Sequence, residues 1–393
     1  MAEADAPSGG RGPAAREPRA VTSDAAAPAV IAWPSVPPRD LLDLAADDLT
    51  LNAAESRYAA AARAPSTLRG YRTDWQDWCS WCEQHDCPPL PAPAAQLARF
   101  IAHLADAGAK PGTVGRKLSA VRYAHKLCGL DDPTASARVA TVWEGIRRSI
   151  AREGGRQAHV DQAPPLMPPR LWDVLDACPT TTTWTTRENE PSLAGARDRA
   201  LLLMGFFGAL RRSEIARVKV DYLHRDARGY VIELPWSKTN QYGTHADLIA
   251  LPRLTNPDRC PVTAIETWLA LADIGTGPLL RKVTKGNRPG ATALSEDGVN
   301  RIVVGAVARA RITPTGTPIS TDPVSDDQPN RLRAEVPYSA HSLRAGFVTY
   351  AHSRGATASQ IAHQTRHTSL ASVRTYTRLA SVWDDNAVTA LGL

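Results

Sequence analysis

Three segments that lie far apart in the chain carry side chains suited to phosphodiester chemistry: residues 208–214, 341–344 and 367–376. They supply, in this order, arginines, histidines and a late tyrosine. Arginines can neutralise a pentacoordinate phosphorane, histidines can hold or move protons around it, and a tyrosine can attack its phosphorus. The set therefore predicts an enzyme that bonds covalently to a phosphate through tyrosine.

Arg211 and Arg344 are the predicted clamps on that phosphate. A guanidinium presents a planar fork that holds two phosphate oxygens and does not deprotonate. His341 precedes Arg344 by three positions, so one helix face would present both side chains. Glu214, one turn after Arg211, is predicted to hold a guanidinium or a neighbouring histidine by a charged hydrogen bond. Arg212 is the alternative for the role given to Arg211.

Tyr376 is the candidate nucleophile. A phenol has a pKa of about 10, so its attack requires a group that accepts the proton and cations that offset the charge developing on phosphate. The three segments supply candidates for both. Taken by itself, Tyr376 would instead be a half-buried helix tyrosine.

The same residues resemble the signature of the tyrosine recombinase (phage integrase) family: an arginine, His-x-x-Arg, a histidine or tryptophan, and the nucleophilic tyrosine. Residues 197–214 resemble its first box with a leading apolar helix, and Lys238 matches a lysine that the family carries on a hairpin. The similarity runs from about residue 60 to the end. One departure is Thr365-Arg366 before His367, where many members have Leu-Gly.

The resemblance implies a role for each residue of the set. Tyr376 attacks the scissile phosphate and leaves a 3′-phosphotyrosyl DNA and a free 5′-hydroxyl, without ATP or a metal. Lys238 protonates the 5′-oxygen, and His367 donates a hydrogen bond to a non-bridging oxygen. His363 is the alternative to His367, and Arg211 is preferred over Arg212 because the family places its arginine three positions before the glutamate.

The resemblance also implies a multidomain fold and an assembly. An all-α, SAM-like core-binding domain and a mixed, mainly helical α/β catalytic domain with a small antiparallel sheet would form a C-shaped clamp on double-stranded DNA. Four protomers would act on two duplexes with inverted-repeat half-sites, with DNA-bending accessory proteins as possible partners. Residues 383–393 would pack on a neighbouring protomer.

Composition and periodicity also divide the chain into a helical domain followed by a second, mixed domain. Residues 1–38 are rich in Ala, Pro, Gly and charged residues with hardly any large apolar side chains, and they predict a disordered tail. Helical spacing predicts a helical domain at 40–151, proline and glycine predict a linker at 152–168, and the catalytic domain follows at 169–393. In the helical domain, Thr113 is predicted to cap the third helix.

The helical domain is also predicted to carry a basic side that would lie along the DNA. A solvated helix face is the alternative. The candidate DNA-binding residues are Arg116, Lys117, Arg122, Lys126, Arg147 and Arg148.

In the second domain the periodicity predicts mainly helices, with two strands and one long loop. The loop is expected at 313–337 because Pro, Thr and Asp dominate there. Helices are predicted at 169–177, 193–210, 212–218, 261–272, 297–310, 339–353, 357–363 and 370–380, and strands at 230–235 and 248–251.

The overall charge suits a polyanionic partner, without requiring one. The chain has 393 residues, 46 Lys and Arg against 40 Asp and Glu, and a formal net charge of +6. Its six scattered cysteines indicate reduced thiols, and neither an export signal nor a membrane span is expected. Reduced thiols indicate a cytosolic setting, and together with the resemblance they lead us to expect a protein of the bacterial cytoplasm that acts on the nucleoid.

Metal sites are not expected. Cys79, Cys82, His85 and Cys87 occupy nine consecutive residues beside three tryptophans, whereas structural zinc ligands usually come as two separated pairs. Core packing is the preferred interpretation of these residues. No acidic cluster at divalent-metal spacing stands out, which disfavours a metal-dependent nuclease.

Two other functions fit parts of the pattern. A type IB topoisomerase uses the same kind of catalytic set, but the amino-proximal helical module fits recombinases better. A non-catalytic DNA-binding architectural protein on the same scaffold would not need the full set.

Overall fold

The computed structural model divides into two compact units, residues 1–160 and 161–393, and each is described by itself. The tail expected at 1–38, most of the loop expected at 313–337 and the helix expected at 370–380 lie outside the described residues. None of the described helices has the length and apolar content needed to traverse a membrane. The described residues are 62–154, 162–182, 189–235, 246–312 and 336–366.

The described part of the first unit is helical. The prediction that Thr113 caps the third helix is wrong: α3 begins two residues earlier, at Pro111. Proline is well suited to the first helical position because its missing N–H would have no partner there. The last helix of the unit ends at Gly154, with a φ of 65°. The helices are α1 Pro65–Gln84, α2 Ala94–Asp106, α3 Pro111–Leu127 and α4 Ala137–Glu153, with a 3-10 turn at Pro133–Ala135.

Aromatic residues of α1 form part of the core of this unit. Trp75, Trp78 and Trp81 are buried, and the Trp78 ring meets the ring of Phe100 edge-on, with centroids 5.2 Å apart. The Trp78 Nε1 donates a hydrogen bond of 2.9 Å to the Pro89 carbonyl. A buried indole N–H usually has such an acceptor, and α1 is held both by packing and by this bond.

The second unit combines helices with two small antiparallel sheets. Strands β1, β2 and β3 form one sheet in that order, and β4 pairs with β5. The helices are α5 Arg170–Asp176, α6 Leu193–Phe207, α7 Arg212–Arg217, α8 Pro261–Ala272, α9 Glu296–Arg309, α10 Ala340–Ser353 and α11 Ala358–Thr365; the strands are β1 Leu223–Asp226, β2 Gly229–Leu234, β3 Asp247–Pro252, β4 Arg281–Val283 and β5 Pro289–Ala293. This architecture confirms the predicted fold class.

Helix α6 lies at the centre of the second unit. From Ala200 onward it is apolar on all sides, which is typical of a helix that packs against several partners, and α8 and α10 are among its neighbours. It ends at Gly208, and the next residue, Ala209, has a positive φ of 45°. This turn directs the chain into Arg211.

A close approach between α10 and the segment before α5 completes the core. The Leu166 N–H donates a hydrogen bond of 2.9 Å to the Ser342 carbonyl, and Leu166 is fully buried. A Cβ at Gly346 would lie 2.0 Å from the Leu166 carbonyl oxygen. The contact therefore requires glycine at this position.

Candidate active site

Arg211 and Glu214 form a closed unit at the start of α7. Arg211 is the N-cap residue, and Glu214 is the third residue of the helix. The Arg211 backbone N–H donates a bond of 2.8 Å to Glu214 Oε2, and Arg211 Nη1 donates one of 2.8 Å to Glu214 Oε1. The carboxylate thus satisfies a helix N-terminal donor and orients the Arg211 guanidinium.

Arg344 on α10 connects two other parts of the site. Its side chain is almost fully buried. Nη1 donates to the Ala209 carbonyl and Nη2 to the Thr365 carbonyl, both at 2.6 Å. Arg344 therefore ties the turn before Arg211 to the end of α11.

Gln364 adds a second link at the same place. Its Nε2 donates to the Phe207 carbonyl at 2.8 Å and to the Ala250 carbonyl at 3.2 Å. The end of α11 is thereby fixed against the end of α6 and against β3.

Arg366 is a site residue that the sequence analysis did not predict. It follows α11 with a φ of 54° and a ψ of 44°, in the left-handed region. Its Nη2 donates a bond of 2.6 Å to Glu214 Oε2, and its Nε lies 3.9 Å from Asp247 Oδ2 on β3. The departure from Leu-Gly at 365–366 was the available signal, because it places a long cation where the family commonly has glycine.

The charges of this cluster shift one another. Burial raises the pKa of the Glu214 carboxyl, but Arg366 and Arg211 outweigh that effect, and the pKa lies below its ordinary value. Burial lowers the pKa of the Arg366 guanidinium, an effect that Glu214 opposes and Arg211 reinforces. Glu214 is therefore a carboxylate at neutral pH, held between two guanidinium groups.

The remaining predicted catalytic residues differ in what the structure describes. His341 lies one turn before Arg344 on α10 and is exposed. His363 lies on α11. Lys238, His367 and Tyr376 lie outside the described residues. The structure thus brings Arg211, Glu214 and Arg344 together with Arg366 and leaves the nucleophile and the lysine as expectations.

The predicted DNA-binding residues of the first unit are not equivalent. Lys117 is buried: its Nζ lies 3.4 Å from Asp74 Oδ1 and also bonds to Asp77. Arg116 is half-exposed and holds Asp74 with bonds of 2.6 and 3.0 Å. The prediction that Lys117 lies on an exposed basic face therefore needs correction, because its ammonium neutralises a buried aspartate.

The other four candidates are on the surface. Arg122 pairs with Asp132, and Arg148 pairs with Glu144. Arg147 lies over the ring of Trp143, 5.4 Å from its centroid. These contacts leave Arg122, Lys126, Arg147 and Arg148 exposed.

The cysteine-rich end of α1 packs into the first unit. His85 stacks on Trp81 with centroids 3.9 Å apart, and Cys82 is buried. Burial raises the pKa of the Cys79 thiol to about 11. Across the described residues, no group of histidine, cysteine, aspartate or glutamate side chains is arranged to hold a metal ion.

Comparisons with known proteins agree with the resemblance. Residues 58–127 match the family model described as phage integrase, N-terminal SAM-like domain. An integrase/recombinase XerD homolog from Selenomonas ruminantium is 31% identical over 331 residues, which is 83% of this chain and 85% of that protein.

Solved structures agree at the level of the fold. A lambda integrase dimer bound to a COC′ core site is 14% identical, covers 86% of this chain and 76% of its own, and has a TM-score of 0.50. The Tn1549 transposon integrase in complex with transposon right end DNA is 11% identical, covers 86% and 94%, and also has a TM-score of 0.50. Since the XerD homolog is 31% identical across most of both proteins, the chain belongs to the tyrosine recombinase (phage integrase) family of DNA breaking and rejoining enzymes.

Proposed function

We propose that this chain is a site-specific DNA recombinase that cleaves and rejoins DNA through a 3′-phosphotyrosyl intermediate on Tyr376, without ATP or a metal ion. The observation that supports it most is the bond from Arg344 Nη1 to the carbonyl of Ala209, two residues before Arg211. Two arginines that lie 133 positions apart in the chain thereby belong to one network, as a two-guanidinium phosphate site requires.

In the proposed reaction the Tyr376 oxygen bonds to phosphorus as the bond from phosphorus to the 5′-oxygen breaks, and His341 accepts the proton of the Tyr376 hydroxyl. Arg211, the more exposed of the two clamp arginines, binds the non-bridging oxygens, and the buried Arg344 adds positive charge next to them. His367 donates a hydrogen bond to one of these oxygens. Lys238 gives a proton to the departing 5′-oxygen. Rejoining reverses these steps, so the energy of the phosphodiester is retained in the phosphotyrosine.

We further propose that the first unit contains the DNA core-binding domain and the second the catalytic domain. Exposed cations of the first unit would contact the DNA backbone and contribute most of the affinity for DNA, whatever its sequence. Lys117 is left out of this surface because it is buried. The proposed DNA-binding residues are Arg116, Arg122, Lys126, Arg147 and Arg148.

The proposed substrate is double-stranded DNA with inverted-repeat half-sites, bound by four protomers on two duplexes. The symmetry of half-sites mirrors the symmetry of protomers. Residues 383–393 would pack on a neighbouring protomer and couple the active sites.

A nicked suicide substrate tests the chemistry. The nick lies next to the scissile phosphate, so the short 5′-hydroxyl strand is lost after cleavage and the covalent protein–DNA adduct accumulates. We expect the full chain to form this adduct and Tyr376→Phe, which keeps the ring and removes the nucleophilic oxygen, to form none. An adduct that persists in Tyr376→Phe would assign the nucleophile to another residue.

The nicked substrate also distinguishes a recombinase from an architectural DNA-binding protein and, with a supercoiled substrate beside it, from a type IB topoisomerase. An architectural DNA-binding protein would shift the DNA in a gel without forming an adduct. A type IB topoisomerase would form the adduct, and would also relax supercoiled DNA that lacks paired recombination sites.

A further inference from the structure

Arg366 combines two unfavourable features. Its backbone adopts the left-handed conformation, with a φ of 54°, which glycine adopts at little cost after a helix and a residue with a Cβ does not. Its guanidinium is also buried, since only 7% of the side chain is exposed. An arginine is maintained here only if its side-chain contacts offset both costs.

Those contacts join Arg366 to α7 and β3. Nη2 donates a bond of 2.6 Å to Glu214 Oε2, and Nη1 donates a longer one of 3.4 Å to the Gln364 carbonyl. Nε lies 3.9 Å from Asp247 Oδ2, and within the described residues neither of these two atoms has a hydrogen-bond partner. The short bond to Glu214 is therefore the principal contact.

Glu214 transmits this contact to Arg211. Oε2 accepts from both Arg366 Nη2 and the Arg211 backbone N–H, and Oε1 accepts from Arg211 Nη1. The carboxylate is 2% exposed, so the two arginines, and not bulk water, supply its hydrogen bonds. The position of the Arg211 guanidinium thus depends on a carboxylate whose other side is held by Arg366.

We propose that Arg366 is a positioning residue for the reaction: by holding the Glu214 carboxylate it fixes the Arg211 guanidinium at the place where the phosphate binds. The inference rests on the proposed function, since it assigns Arg211 to the scissile phosphate. Arg366 acts through Glu214 and does not itself touch the DNA, because its guanidinium is enclosed by Glu214, Asp247 and the Gln364 carbonyl.

The test measures the single-turnover rate of adduct formation on the nicked substrate and, separately, the Kd for the same DNA. Arg366→Gly removes the guanidinium and suits the left-handed backbone. We expect its cleavage rate to fall roughly 10- to 100-fold, as when a catalytic group is misplaced by about 1 Å, with the Kd within about twofold. Arg366→Lys, which keeps a cation, should recover part of the rate.

Arg311→Gly is the matched control. Arg311 also has a left-handed backbone, with a φ of 53°, but it is exposed and far in sequence from the site. The substitution removes the same charge and the same backbone strain. We expect its cleavage rate to stay within about twofold of the unmodified chain.

The pathway through Glu214 gives two further readouts. In a Glu214→Gln background the amide oxygen still accepts from the Arg211 N–H, and adding Arg366→Gly should then change the cleavage rate by less than about twofold. The single Arg366→Gly variant lacks one of the charges that lower the pKa of Glu214, so that pKa should rise. The acid limb of the rate profile should therefore move to higher pH.

The outcomes separate the two proposals. If the unmodified chain forms no adduct on Tyr376, the proposed function fails, and this inference with it. If the adduct forms normally in Arg366→Gly, only the inference is overturned. A rise in Kd that accounts for the slower reaction would mean that Arg366 contacts DNA, which also overturns it. Should Arg366→Gly fail to fold, Arg366→Asn takes its place, since asparagine tolerates the left-handed backbone and carries no charge; an unchanged cleavage rate in Arg366→Asn would overturn the inference.

Discussion

At the scale of single residues, Glu214 makes stability depend on pH. Its folded-state pKa lies below the ordinary value, so its contribution is present above an unfolded pKa of about 4.3 and is lost as pH falls through the folded value. Glu214→Gln leaves the buried Arg366 guanidinium and the partly buried Arg211 guanidinium without their carboxylate. We expect it to lower the free energy of unfolding at pH 7 by roughly 3 kcal/mol.

The pH dependence distinguishes this charge effect from a packing defect. Between pH 7 and pH 3 the difference in free energy of unfolding between the unmodified chain and Glu214→Gln should shrink, since protonation makes the glutamate resemble the amide. Asp132 and Asp176 also have lowered pKa values, but they are present in both proteins and cancel in the difference. Chemical denaturation of both proteins at several pH values measures the difference in free energy of unfolding. A difference that stays constant with pH would contradict an ionised Glu214.

The sequence predicted part of this cluster and missed another part for a geometric reason. The hydrogen bond between Arg211 and Glu214 follows from their spacing of three residues, because local helical geometry alone brings them together. Arg366 contacts Glu214 across 152 positions of sequence, and only through a left-handed turn. No periodicity encodes such a contact, although the unusual residue pair at 365–366 marked the place.

At the scale of elements, Gly346 controls how α10 packs on the segment that precedes α5. A Cβ there would lie 2.0 Å from the Leu166 carbonyl oxygen, and Arg344 lies two residues earlier on the same helix. We expect Gly346→Ala to lower the free energy of unfolding by about 1–3 kcal/mol, the usual cost of overpacking, as measured by chemical denaturation of the full chain.

Gly305→Ala is the control for this prediction. Gly305 lies inside α9 of the same unit, and an added Cβ would meet only Arg309 Nη1, at 3.7 Å. Alanine favours the helix over glycine by about 1 kcal/mol, so this variant should be as stable as the unmodified chain or more so. Equal losses in both variants would refute the steric argument.

Most helices could be predicted from the sequence, and the missed elements were short strands. Helix α8 occupies the predicted range of 261–272 because a proline start and continuous apolar spacing define it. Strands β1, β4 and β5 were missed; they have 4, 3 and 5 residues and are exposed or only partly buried. Strands this short carry no readable alternation, and their pairing depends on neighbours that only the tertiary structure supplies.

The first unit shows the same limit for charged residues on a helix face. Helical spacing places Arg116, Lys117, Arg122 and Lys126 on α3, but it cannot tell which of them has a buried aspartate opposite it. Asp74 on α1 is fully buried and recruits both Arg116 and Lys117. The identity of the partner therefore decides which cations remain exposed to solvent.

At the scale of the whole molecule, the difference between exposed and buried cations on α3 predicts how DNA binding depends on salt. Each phosphate contact contributes about 0.9 to the slope of log Kobs against log salt concentration. Lys126 is exposed, so in the full chain Lys126→Gln should reduce the magnitude of that slope by roughly one unit and weaken binding to all sequences alike. Lys117→Met should leave the slope unchanged, because the buried ammonium releases no counterion from DNA.

Lys117→Met is a usable comparison because its partners remain satisfied. Asp74 keeps its two bonds to Arg116, and Asp77 is half-exposed to water, so the first unit should stay folded. Titrations of one duplex at several salt concentrations, with unfolding measured in parallel, give both slopes. Equal changes in the two variants would place Lys117 on the DNA surface after all, and no change in either would move that surface away from α3.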